Sequence, residues 1–147
     1  MNQLLHQHTE SIVSAAIHAV LPDVAVVRAL QGYRFGTGKI VLVAAGKAAW
    51  QMANAASDCL GDRIADGVVV TKYGHIKGPI AHIRCFEGGH PVPDENSYRA
   101  TARALELVSG LTENDTVLFL LSGGGSALFE SPLIPAEEMA DVTKQLP

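Results

Sequence analysis

Two cysteines in 147 residues are too few for a disulfide scaffold, and Cys59 and Cys85 lie too far apart to form half of a zinc site. Both fall in apolar segments and are expected to be buried, reduced thiols. No three consecutive Lys or Arg occur, and eleven basic residues stand against fifteen acidic ones, a formal charge of −4. That lacks the basic face of a nucleic-acid binder. No uninterrupted apolar stretch reaches the roughly 18 residues of a membrane-spanning helix. The opening Met1-Asn2-Gln3-Leu4-Leu5-His6 has no basic patch leading into an apolar core, so no secretory signal is visible. His6, His8, His18, His75 and His82 lack metal-ligand spacing, and no metal site is expected. The expectation is a cytoplasmic globular protein without nucleic-acid or membrane partners. With 48% hydrophobic and 18% charged residues the chain is too apolar for disorder, and its length suits one domain, residues 1–147.

The periodicity changes along the chain. Residues 4–20 read as a helix with Leu5, Ile12, Ala16 and Ala19 on one face, and Pro22 suits the first turn of a second helix over 23–30. Ile40-Val41-Leu42-Val43-Ala44-Ala45 is a continuous apolar run, the pattern of a strand buried on both faces. A helix from about Lys47 follows, with Ala48, Met52, Ala55 and Cys59 inward and Gly61 as its stop. Residues 67–71 and 80–86 read as two further strands, the second suited to a sheet edge. Asp94 is an N-cap candidate for a helix reaching Ser109, with Thr101, Leu105, Val108 and Leu111 inward. Thr116–Leu121 is the most apolar strand, and Pro135 opens a last helix. Strands alternating with helices predict a three-layer α/β fold, a mostly parallel, Rossmann-like sheet flanked by helices.

Three loops carry candidate chemistry. In an open α/β sheet ligands collect beyond the carboxyl ends of strands, where the next helix presents free N–H groups. Gly46-Lys47 sits at such a junction, and a cation at a helix start is electrostatically out of place unless it meets an anion. The alternative is a solvated lysine on a first helical turn. Ser122-Gly123-Gly124-Gly125-Ser126, directly after the most apolar strand, has a phosphate-cradle composition, because glycines let backbone N–H groups approach a ligand. Its alternative is a flexible connection. The third loop, Gly88 to Glu95, holds His90, a candidate for proton transfer, and Asp94 at the helix start. A rigid loop with His90 bonded to backbone and Asp94 capping is the other reading.

Taken in order and spacing, Ala44-Ala45-Gly46-Lys47-Ala48-Ala49, Gly89-His90-Pro91-Val92-Pro93-Asp94 and Leu121-Ser122-Gly123-Gly124-Gly125-Ser126 resemble the N-terminal part of the glycerate 2-kinases, also called hydroxypyruvate reductases. The resemblance runs from about residue 5 to the terminus. It implies a two-domain enzyme with its active site in the interdomain cleft, which moves the terminal phosphoryl group of ATP, with Mg2+, to D-glycerate. The family's active-site lysine corresponds to Lys47. The family's glycine-rich loop corresponds to Ser122, Gly123, Gly124, Gly125 and Ser126, and Gly46 is expected to join it in binding phosphate. The further catalytic acid and arginine of the family would lie beyond Pro147, so an N-terminal fragment, inactive alone and prone to homo-oligomers, is expected. An NAD(P)H-dependent hydroxypyruvate reductase is the alternative, although no G-x-G-x-x-G fingerprint follows Val43. A non-catalytic ligand-binding or assembly domain is the other.

Overall fold

The structure, a computed structural model, describes residues 3–123 and 127–145. Four parallel strands form one sheet: β1 (Ile40–Gly46), β2 (Ile64–Lys72), β3 (Ile83–Gly88) and β4 (Thr116–Ser122), in the order β3-β2-β1-β4. β1 is buried along its whole length because it has a neighbouring strand on each side and a helical layer on each face. This accounts for its unbroken apolar sequence. β3 takes one edge and β4 the other.

The helices divide between the faces. α2 (Pro22–Leu30) and α3 (Ala49–Leu60) pack on one face over Leu42, Ala44, Val69 and Leu120. α4 (Glu95–Val108) covers the other, where Ala100 and Ala104 meet Val43, Val68 and Val70. The result is the three-layer α/β sandwich expected from the sequence. No single helix among the described residues is long and apolar enough to cross a membrane.

Several residues stand differently from the expectation. α1 (Gln3–Ala19) forms, but none of its residues is buried, and Leu5 and Ile12 are exposed; it touches the rest mainly through α2. α3 buries Ala49, Ala53, Ala55 and Ala56 while Cys59 is exposed, and Cys85 is only half-buried. α4 buries Ser97, Ala100, Thr101 and Ala104, a stripe of small residues, and leaves Leu105 exposed. Small side chains bring the helix backbone close to the sheet, so bulk is displaced to the flanks. A hydrophobicity pattern, which rewards bulk, points a turn away from that stripe. β4, despite its apolar sequence, leaves Val117, Phe119 and Leu121 between 42% and 47% exposed; they lie on the α4 face of the sheet, in register with Val41, Val43 and Ala45, but α4 packs over β2, β3 and β1 and leaves this edge uncovered. The last helix, α5 (Ala136–Gln145), follows Pro135 as predicted.

Candidate active site

The sheet order reverses between β1 and β4. The chain moves outward from β1 through β2 to β3, then crosses back to place β4 on the other side of β1. Beyond the carboxyl ends of the two strands at such a reversal, the connections diverge to opposite faces and leave a crevice. Gly46 ends β1 and pairs in register with Ser122, the end of β4. The two separate motifs of the sequence therefore meet at one place, with Lys47 exposed beside them.

Local backbone geometry explains the glycines. Gly46 has φ +114°, and a Cβ there would run into the Ser122 carbonyl oxygen, so the strands approach closely only because position 46 has no side chain. Gly123 has φ +80°, the left-handed region, with open space where a side chain would stand. Gly124, Gly125 and Ser126 lie outside the described residues.

The peptide between Lys47 and Ala48 is held from both sides. The Ala48 N–H donates to Ser122 Oγ at 3.0 Å, from β4. The Lys47 carbonyl accepts from His75 Nδ1 at 2.8 Å and from the buried Thr71 hydroxyl at 3.3 Å, both on the β2 side. The Glu87 carboxylate, near the end of β3, accepts the backbone N–H groups of His75 and Ile76, each at 2.9 Å. The Ile76 N–H, with those of Gly74 and His75, holds the Glu87 carboxyl below its ordinary range, against a smaller upward push from burial. Trp50 Nε1 donates to the Gly78 carbonyl at 2.9 Å and ties the same loop to α3. Between these elements lies an open cavity of about 390 Å³ lined by Lys47, Trp50, Gln51, His75 and Lys77.

His90 and Asp94 separate into different roles. Withdrawal from water, then the charges of Lys47 and Lys72, hold the His90 ring below its ordinary value and so favour its neutral form. Its Nδ1 is enclosed, without a hydrogen-bond partner among the described residues. Asp94 caps α4: its Oδ1 accepts the Ser97 N–H at 3.0 Å, and the Asp94 N–H donates to Ser97 Oγ at 3.4 Å. Burial pushes the Asp94 carboxyl up, but the Tyr73 hydroxyl, donating at 2.7 Å, and backbone N–H groups hold it below its ordinary range. A carboxylate with these partners is engaged in joining the loops after β2 and β3.

Thr71, His75 and Glu87 were not singled out in the sequence. The available signal was position: a threonine ending a buried strand, then a polar loop at the same sheet edge as Lys47. Among the described residues no three His, Cys, Asp or Glu converge as a metal-binding group. At the crevice the exposed Lys47 amine and the Ser122 hydroxyl are polar groups suited to anionic oxygens.

Residues 8–147 match the family model described as a domain of unknown function, DUF4147. A D-glycerate 2-kinase of Thermotoga maritima is 56% identical over 137 residues, covering 92% of this chain and 32% of that protein. A glycerate 2-kinase of Pyrococcus horikoshii is 44% identical over 131 residues, covering 82% of this chain and 29% of the relative. The crystal structure of a glycerate kinase from Thermotoga maritima superposes with a TM-score of 0.90 at 52% identity, over 97% of this chain and 34% of that one. The name hydroxypyruvate reductase also occurs among the relatives, on proteins of Agrobacterium vitis. The chain thus spans about a third of the length of the curated relatives it matches.

Proposed function

The chain belongs to the DUF4147 family, and on that premise we propose that it is the N-terminal domain of a two-domain glycerate 2-kinase, using ATP with Mg2+ and D-glycerate. The observation that carries this reading is the convergence of Lys47 and Ser122 on one switch-point crevice. In the reaction, a hydroxyl oxygen of glycerate forms a bond to the γ-phosphorus of ATP. The bond from that phosphorus to the bridging oxygen breaks, ADP leaves, and the hydroxyl proton passes to a base. Such a transfer needs charge neutralisation and alignment more than covalent chemistry. Lys47 supplies a positive charge to the phosphoryl oxygens, and Gly46 and the loop from Ser122 through Ser126 supply backbone N–H groups. Gly123, Gly124 and Gly125 let that backbone come near. The surroundings of His90 favour its neutral form, the one a proton acceptor requires.

The full-length enzyme is proposed to be cytoplasmic, with a second domain closing over the crevice. The half-exposed Val117, Phe119 and Leu121 support self-association of the domain when it stands alone. The deciding experiment measures ATP-dependent phosphorylation of D-glycerate by the full-length protein, beside NAD(P)H oxidation with hydroxypyruvate. Phosphoglycerate formed at the expense of ATP is expected. Reductase turnover without phosphorylation would overturn the kinase assignment.

A further inference from the structure

His75 belongs to no recognised motif of the chain, yet its ring nitrogen makes the shortest contact to the Lys47 carbonyl, 2.8 Å against 3.3 Å for Thr71. A carbonyl oxygen only accepts, so Nδ1 must carry the proton, which leaves Nε2 as the nitrogen with a lone pair in the neutral ring. The His75 backbone is itself fixed, since its N–H and that of Ile76 both enter one Glu87 carboxylate oxygen. The Lys47–Ala48 peptide is then pinned at its carbonyl from β2 and at its N–H from β4. A peptide is a rigid plane, so pinning both ends fixes the backbone from which the Lys47 side chain departs.

We propose that His75 is a positioning residue for Lys47: through Nδ1–H it fixes the Lys47–Ala48 peptide and so aims the lysine into the crevice. This rests on the kinase reading for its catalytic consequence, but not for the geometry. Glu87 acts one step further out, by holding the loop from which His75 reaches.

The test uses the difference between the two ring nitrogens. An asparagine amide lies close to the place of Nδ1, whereas a glutamine amide reaches the place of Nε2. In the full-length enzyme, His75→Ala and His75→Gln are expected to lower kcat by about ten- to a hundredfold, the scale of a misplaced catalytic group, with KM for both substrates little changed. His75→Asn is expected to restore most of kcat, with a Tm matched to that of His75→Gln. Rescue by His75→Gln but not His75→Asn would overturn the proposal and place Nε2 on the substrate. Equal turnover in all three variants would overturn it as well. Independently, 15N imidazole spectra of wild-type protein at roughly pH 8, above the ordinary histidine range, are expected to give His75 as the Nδ1–H tautomer. An Nε2–H tautomer would overturn the proposal whatever the activity. An Nδ1–H tautomer in a protein that does not phosphorylate glycerate would support the clamp and remove only the kinase reading.

Discussion

Lys47 stands exposed at the crevice without an ion-pair partner among the described residues, so its positive charge is not spent on holding the fold together. Lys47→Ala in the full-length enzyme is therefore expected to leave Tm nearly unchanged while lowering kcat by about 10²–10³-fold, the usual scale for losing one group that stabilises transition-state charge. Steady-state kinetics with a thermal melt check both halves, and unchanged turnover would return Lys47 to the solvent. Glu87 behaves in the opposite way. Its carboxyl is held below the ordinary range chiefly by the Ile76 N–H, so the ionised form favours the folded state. That contribution is complete above the glutamate value of the unfolded chain and fades as pH falls through the lower folded value. Glu87→Gln should accordingly destabilise the protein at pH 7, and the difference from wild type should shrink on acidification below the ordinary carboxylate range. Denaturant melts at a series of pH values measure this, and a gap independent of pH would argue that the carboxylate charge is immaterial.

At the scale of elements, small residues set the layer spacing. Ala104 is buried against Val43 and Val68, and Ala104→Leu should cost about 1–3 kcal/mol by forcing α4 off the sheet, measurable as a lowered denaturation midpoint. Much of this architecture was legible in the sequence. The runs at Ile40–Ala45 and Thr116–Leu121, the stop at Gly61, and Asp94 before a helix placed strands and helices in the right order. The Lys47 and Ser122 junctions could be read because an apolar strand running into glycine, at Gly46 and at Gly123, carries its own local signal. Three things were not legible for a physical reason. Which face α4 buries depends on how closely a helix approaches a sheet, and alanines mark that more weakly than leucines mark bulk. The exposure of α1 and of one face of β4 depends on what packs there, which no local pattern reports. The roles of Thr71, His75 and Glu87 arise from three strand ends brought side by side, a relation absent from any stretch of sequence.

For the whole molecule, one open crevice and one half-covered edge strand lead to the same expectation. The 147-residue chain should fold, with the β1–β4 core intact, yet phosphorylate glycerate weakly or not at all, because charges facing bulk water act far more feebly than in a closed cleft. Robust turnover by this chain alone, assayed against the full-length enzyme, would contradict that. Its β4 face should also drive association at high concentration, and Phe119→Lys should shift light-scattering mass toward monomer. The clamp on the Lys47–Ala48 peptide carries a different kind of consequence. Every hydrogen bond in it ends on backbone atoms at position 47 or 48, and none ends on the lysine amine. The mounting is thus independent of what is mounted: another side chain at position 47 would leave the same trajectory from the same anchored plane. A lineage of such proteins could exchange the chemical group at this point, trying a shorter cation or a neutral donor, without first rebuilding the platform that presents it.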